Sequence, residues 1–224
     1  MRSKPFVSLV IPTLNEQDNM RMLMRGIAQV MRDYRYEVLV VDGYSRDNTV
    51  KLARAAGARI IYDDNGKGSA LIKGFNAAKG DIIISMDADL SNRPNELKLL
   101  IAGIEAGYDV CMGSRFLTGG GSEDMPAVRK FGNKVFVTLV NLFYGSHYSD
   151  LCYGYRSFAR GVSKRLNLQE AGFGIETEIS IKVQKRHLKV LEVPSYEKLR
   201  ASGEGKLQSF SDGLIILRAI IRNL

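Results

Sequence analysis

Residues 81–89 read Asp81-Ile82-Ile83-Ile84-Ser85-Met86-Asp87-Ala88-Asp89. Isoleucine is stiff at its β-carbon and favours extended backbone. The apolar run does not alternate with polar residues, so the strand it predicts is covered on both faces, as in a parallel sheet. Two carboxylates follow the strand directly. They need a counter-charge, and a divalent cation supplies one; Mg²⁺ or Mn²⁺ suits hard oxygen ligands. Such a metal would bridge a diphosphate and stabilise a departing nucleotide. Aspartate also caps helices, but the next helical pattern begins near Pro94, too late for Asp87 or Asp89 to cap it.

Similar apolar runs lie on either side. Strands are predicted over Phe6–Ile11, Tyr36–Val41, Arg59–Tyr62 and Asp109–Met112, alternating with helices over Glu16–Asp33, Asp47–Ala56, Gly68–Ala78 and Pro94–Glu105. This order predicts an α/β fold, a mainly parallel sheet flanked by helices. Ligands bind such sheets at the carboxyl ends of the strands. Here those ends carry Pro12-Thr13-Leu14-Asn15-Glu16, Asp42-Gly43-Tyr44-Ser45, Asp87-Ala88-Asp89 and Gly113-Ser114-Arg115.

The second half reads differently. Thr118–Ser122 (TGGGS) is expected to be a flexible loop and a candidate lid. A helix over Val128–Tyr144 has an apolar later part, and Asp150–Phe158 reads as an aromatic-rich strand or turn. A helix is expected over Glu176–His187 and a strand over Lys189–Val193. A polar loop spans Ser195–Gln208, and an apolar helix Asp212–Leu224 carries Arg218 and Arg222 four apart. The whole, 1–224, reads as one domain, with a ligand-binding half to residue 115 and an acceptor-side half from 116.

Composition narrows the classes. The chain has 224 residues, two cysteines and a net charge of +8. Cys111 and Cys152 form no metal or disulfide pattern, and a reducing compartment fits. No secretory signal is read, and no stretch reaches the ~20 apolar residues of a membrane span. The charge suits nucleic acid, an anionic membrane surface or phosphorylated substrates. Nucleic acid is disfavoured, because the basic residues are scattered and acids mark the strand ends. Asp42 reads equally as a recognition residue or as part of an Asp-Gly turn. Gly66-Lys67-Gly68-Ser69 reads equally as a phosphate-binding helix start or as a plain turn. Arg115, Arg129, Arg156, Arg200 and Lys206 are scattered candidates for phosphate contacts.

Together these segments resemble family 2 glycosyltransferases of the GT-A fold, most closely the dolichyl- or polyprenyl-phosphate sugar transferases. VIPTLNE resembles that family's VIPTYNE, VLVVDGYSRDNT its VVDDGSxDGT, DADLSNRP its DADLQHPP and GSRF its GSRY. SDLCYGYRSF resembles SDxxSGFRxF, and LRASGEGKL resembles RxxGxSKL. The resemblance implies a metal-dependent transfer from a UDP- or GDP-sugar to a polyprenyl phosphate. In it, Pro12, Thr13, Glu16, Asp42, Gly68, Asp87, Ala88 and Arg115 would bind the nucleotide-sugar. Asp87 and Asp89 would hold Mg²⁺ or Mn²⁺. Arg129, Arg156, Arg200 and Lys206 would face the donor diphosphate or the acceptor phosphate. Asp150 would be the base or an acceptor-orienting carboxylate.

The departures are Leu14 for the usual aromatic, Gly43-Tyr44 in the second motif and Ser91 for a metal-binding Gln. The carboxy-terminal membrane helices of many relatives have no counterpart here. The resemblance implies a cytoplasmic protein at the cytoplasmic face of a membrane. The two apolar helices would lie in the interface, against the core, or on a membrane subunit or second copy. A saccharide or other lipid acceptor, or a non-catalytic membrane-associated subunit, are the alternatives.

Overall fold

The structure is a computed structural model that describes residues 4–200 and 209–223. Its first half follows the expected alternation: β1 (Val7–Thr13), α1 (Gln17–Met31), β2 (Tyr36–Asp42), α2 (Thr49–Ala55), β3 (Arg59–Tyr62), α3 (Lys67–Ala77) and β4 (Ile82–Ser85). A 3₁₀ turn at Pro94–Glu96 leads into α4 (Leu97–Glu105), and β5 (Val110–Ser114) follows. Then come β6 (Gly121–Ser122), α5 (Ala127–Tyr144), β7 (Arg156–Ala159), α6 (Val162–Arg165), α7 (Ile175–Lys185), β8 (Val190–Pro194), β9 (Tyr196–Glu197) and α8 (Ser209–Arg222).

Seven strands form one sheet in the order β3-β2-β1-β4-β7-β5-β8, parallel except for β7. Both faces are covered, which explains the unbroken apolar runs. Side chains alternate across a strand. Leu9, Ile11 and Ile84 join a core with α1, α2 and α4, whereas Val10, Leu39 and Ile83 join a second with α3, α5, α7 and α8.

Two features depart from the sequence reading. The short β7 inserts antiparallel between β4 and β5, so residues from beyond 115 sit in the middle of the sheet. In addition, part of the expected TGGGS loop is strand. Gly121 and Ser122 pair in parallel with Tyr196 and Glu197, inside the expected polar loop. Both strands are too short to leave a periodic pattern. No described helix is long and apolar enough to cross a membrane.

Candidate active site

The carboxyl ends of β1, β2, β4 and β5 open into a cavity of about 470 Å³. Pro12, Thr13, Glu16, Asp87, Ala88, Asp89, Arg115, Arg129 and Arg200 all line it. Among the described residues on its wall, seven carboxylates face four cations. An anionic diphosphate would be repelled there unless a cation entered with it.

The turn after β4 is held tightly. Leu90 adopts a left-handed backbone at φ 67°, which costs a non-glycine residue about 1 kcal/mol or more. That bend lets the Ser91 N–H donate to Asp89 Oδ1 at 3.0 Å. The Asp87 N–H donates to Asn92 Oδ1 at 2.7 Å.

Each carboxylate also meets a cation. Lys67 Nζ, in the first turn of α3, lies 2.8 Å from Asp87 and 3.0 Å from Glu176. Burial opposes the Lys67 ammonium, but Asp87 and then Glu176 outweigh it and hold its pKa above the ordinary lysine value. Gly154 gives this group its space, since a Cβ there would sit 3.2 Å from both Lys67 Nζ and Glu176 Oε1. Arg200 Nη2 lies 2.8 Å from Asp89, and its Nη1 lies 3.7 Å from Glu16. No group of three His, Cys, Asp or Glu side chains able to hold a metal occurs among the described residues. Two carboxylates with phosphate and water completing the shell is a donor set that Mg²⁺ accepts. The acidic wall and its oxygen ligands therefore fit a divalent cation.

A second ionic group lies at the end of β5. Arg115 Nε and Nη2 grip Asp150 at 2.7 and 3.0 Å, and Nη1 reaches Glu197 at 3.1 Å. Burial works against the guanidinium, but Asp150 and then Glu197 raise its pKa further. Behind it, Glu192 accepts N–H bonds from Ser149 and Asp150. Burial outweighs these donors and pushes the Glu192 carboxyl above its usual range.

Four expected site residues are placed elsewhere. Asp42 is fully buried behind the wall, and its oxygens accept the Ser45 N–H at 2.8 Å and the Ser45 hydroxyl at 2.5 Å. Its carboxylate serves the turn, not the cavity. Gly68 is a packing residue, because a Cβ there would lie 2.0 Å from the Glu170 carbonyl; Gly66 and Lys67 face the cavity instead. Asp150 is 1% exposed and does not line the cavity; its oxygens are held by Arg115 and the Cys152 N–H. It orients Arg115 and is not placed to act as a base. Arg156 lies wholly in the core, donating to the carbonyls of Leu151, Tyr153 and Glu176 and to the Ser180 hydroxyl. It is a structural brace, buried in the core with four of its five N–H donors taken by these groups. Lys206 lies outside the described residues.

The sequence reading missed Lys67 and Glu176. Lys67 stood within the glycine-flanked segment already singled out, and a cation between small residues was its signal. Glu176 had none, since only tertiary packing brings α7 to the end of β4. His147 and His187 are exposed. Cys111 is a core thiol, whereas Cys152 lies at the cavity wall; burial pushes the Cys152 thiol up to about 12.

The far wall is apolar. Met125, Val128, Phe136, Phe173 and Ile216 extend the cavity between α5 and α8. Outside it, Phe131 and Leu142 on α5 and Leu214 and Ile221 on α8 are more than half exposed. Arg218 and Arg222 are exposed beside them.

Comparison with known proteins agrees with this architecture. The chain is 36% identical over 210 residues to a dolichol-phosphate mannosyltransferase from Pyrococcus furiosus, covering 90% of this chain and 59% of that protein. It is 30% identical over 217 residues to a dolichyl-phosphate hexose transferase from Haloferax volcanii, covering 96% and 92%. Among solved structures, glucosyl-3-phosphoglycerate synthase from Mycobacterium tuberculosis, crystallised with Mn²⁺, UDP and glucosyl-3-phosphoglycerate, superposes with a TM-score of 0.77 at 20% identity. That match covers 98% of this chain and 80% of the synthase, and shows the same GT-A fold. The profile of glycosyl transferase family 2 matches residues 8–166, and the chain belongs to that family.

Proposed function

We propose that this chain transfers a hexose from a UDP- or GDP-sugar to a polyprenyl phosphate at a membrane surface. The observation that carries this reading is the continuity of one cavity. It begins at the acidic strand ends, passes Arg115, Arg129 and Arg200, and ends at the apolar wall between α5 and α8. A nucleotide-sugar fits the polar end, and a phosphate bearing a hydrocarbon chain fits the other. The Pyrococcus and Haloferax relatives, a dolichol-phosphate mannosyltransferase and a dolichyl-phosphate hexose transferase, support the same acceptor class.

Asp87 and Asp89 would hold Mg²⁺ or Mn²⁺, which supplies positive charge to the departing diphosphate. Pro12, Thr13, Glu16 and Ala88 shape the donor crevice. Lys67, already polarised by Asp87 and Glu176, has a third N–H to offer the sugar. Arg200, paired here with Asp89, is the cation that would face the donor phosphates. Arg115 and Arg129 receive the acceptor phosphate. One of its oxygens attacks the anomeric carbon as the bond to the nucleoside diphosphate breaks, inverting that centre. A phosphate monoester is already an anion, so the reaction needs no proton acceptor and Asp150 acts by holding Arg115. The exposed apolar side chains of α5 and α8 lie in the lipid interface at the cytoplasmic face, with Arg218 and Arg222 at anionic head groups.

A transfer assay tests this. Labelled UDP- and GDP-sugars are offered with Mn²⁺ to a short polyprenyl phosphate and, in parallel, to the matching lipid alcohol. Labelling of the phosphate alone, reduced about a thousandfold in Asp89→Ala, is the expected outcome. Donor binding without labelling of either lipid defeats the acceptor assignment.

A further inference from the structure

At residue 153 the family motif quoted above has serine, and this chain has tyrosine. The tyrosine belongs to the buried core and lines the cavity wall. The Tyr153 ring is 3% exposed and lies beneath Arg115, whose Cζ is 4.7 Å from the ring centroid. Its hydroxyl is 3.0 Å from Asn92 Nδ2 and 3.1 Å from Ser195 Oγ.

These contacts form a directed chain. Ser195 has one hydroxyl proton, which it donates to Glu96 Oε2 in a short contact. The phenol proton of Tyr153 is then given to Ser195, and the phenol oxygen accepts from Asn92. The other end of the Asn92 amide, Oδ1, accepts the Asp87 N–H. Asn92 is fully buried, so neither end of its amide has water as a substitute. Burial pushes the Tyr153 pKa upward, which keeps the phenol a donor. Glu96 closes the far end by accepting the Tyr196 N–H at 3.0 Å. Tyr196 begins β9, the strand that leads to Arg200.

We propose that Tyr153 is a positioning residue that joins the Asp87–Asp89 turn, Arg115 and the β9 segment into one unit. The proposal rests on the donor-site reading given above. The hydroxyl sets the turn that receives the donor, while the ring sets the height of Arg115 on the acceptor side. The two functions are separable by substitution.

The test is calorimetric binding of Mn²⁺ with UDP and of Mn²⁺ with GDP to the full chain, alongside thermal melting. Tyr153→Phe keeps the ring and breaks the relay; it is expected to weaken nucleotide binding about fivefold. Ser195→Ala breaks the same relay one bond further on with a smaller deletion, and the double variant is expected to be no weaker than Tyr153→Phe alone. Tyr153→Leu removes the ring as well and is expected to raise the KM for polyprenyl phosphate, which Tyr153→Phe leaves within about twofold. Unchanged nucleotide binding in Tyr153→Phe, or losses that multiply in the double variant, overturns the relay. A fall in melting temperature without a loss of affinity does so too. Failure of the unaltered chain to bind either nucleotide instead overturns the donor-site reading, and the proposal with it.

Discussion

Two groups of the same composition flank the cavity, each a cation between two carboxylates. At the end of β4 Lys67 sits between Asp87 and Glu176; at the end of β5 Arg115 sits between Asp150 and Glu197. They differ in what remains to be used. A lysine ammonium has three N–H groups, and Lys67 spends two. The Arg115 fork places Nε and Nη2 on Asp150 and Nη1 on Glu197, and its planar face rests on Tyr153. Asp87 is 28% exposed at its side chain, while Asp150 is 0% exposed. The first group is held open for a ligand. The second is a brace that presents one arginine at a fixed height.

The largest expected effect comes from breaking the open group. Lys67→Met leaves Asp87 and Glu176 facing each other without a counter-charge. The expected loss of stability is about 1–3 kcal/mol, since Glu176 is buried but Asp87 keeps contact with solvent, and it is measured by urea unfolding. Donor binding should fall with it. Stability within error of the unaltered chain would mean that the two groups do not differ as described.

A smaller effect separates brace from base. Asp150→Asn keeps the shape but removes the charge that orients Arg115. If the brace description holds, the KM for the phosphate acceptor rises about tenfold and the pH profile of kcat is unchanged, in keeping with a lost charge-assisted bond. Loss of the basic limb of that profile, with kcat down about a thousandfold, is what a true base would give.

The smallest effect concerns Glu192, behind the brace. Its folded pKa lies above the ordinary value of 4.5 because burial disfavours its charge. The folded state therefore holds this proton more tightly than the unfolded one. Stability falls as pH rises from about 4.5 through the raised pKa. Glu192→Gln should flatten that slope in melting experiments across the same window. An equal slope in both chains would place the titrating group elsewhere.

Much of the cavity wall at the strand ends was legible because its residues follow strands in unbroken local segments. Asp87, Ala88 and Asp89 leave β4, and Pro12 and Thr13 end β1, so chain order alone brings them together at one edge. The same logic failed for Asp42, whose place at a strand end is real but whose oxygens are spent on Ser45 three residues on. Local turn chemistry competes for a carboxylate, and the residue pattern does not show which use wins. Arg156 failed for another reason. Three carbonyls and a serine hydroxyl take four of its five donors in the core.

The sequence by itself determined the α/β alternation, the two-sided burial of the strands and the presence of paired acids at the strand ends. These follow from periodicity and from nearest neighbours along the chain. Only the tertiary structure decided that β7 inserts antiparallel, that Glu176 reaches Lys67 and that Asp150 is held by Arg115. Glu197 joins Arg115 from 82 residues away. Such pairings are set by which surfaces pack when the sheet closes, and packing at that separation leaves no period in the chain to read.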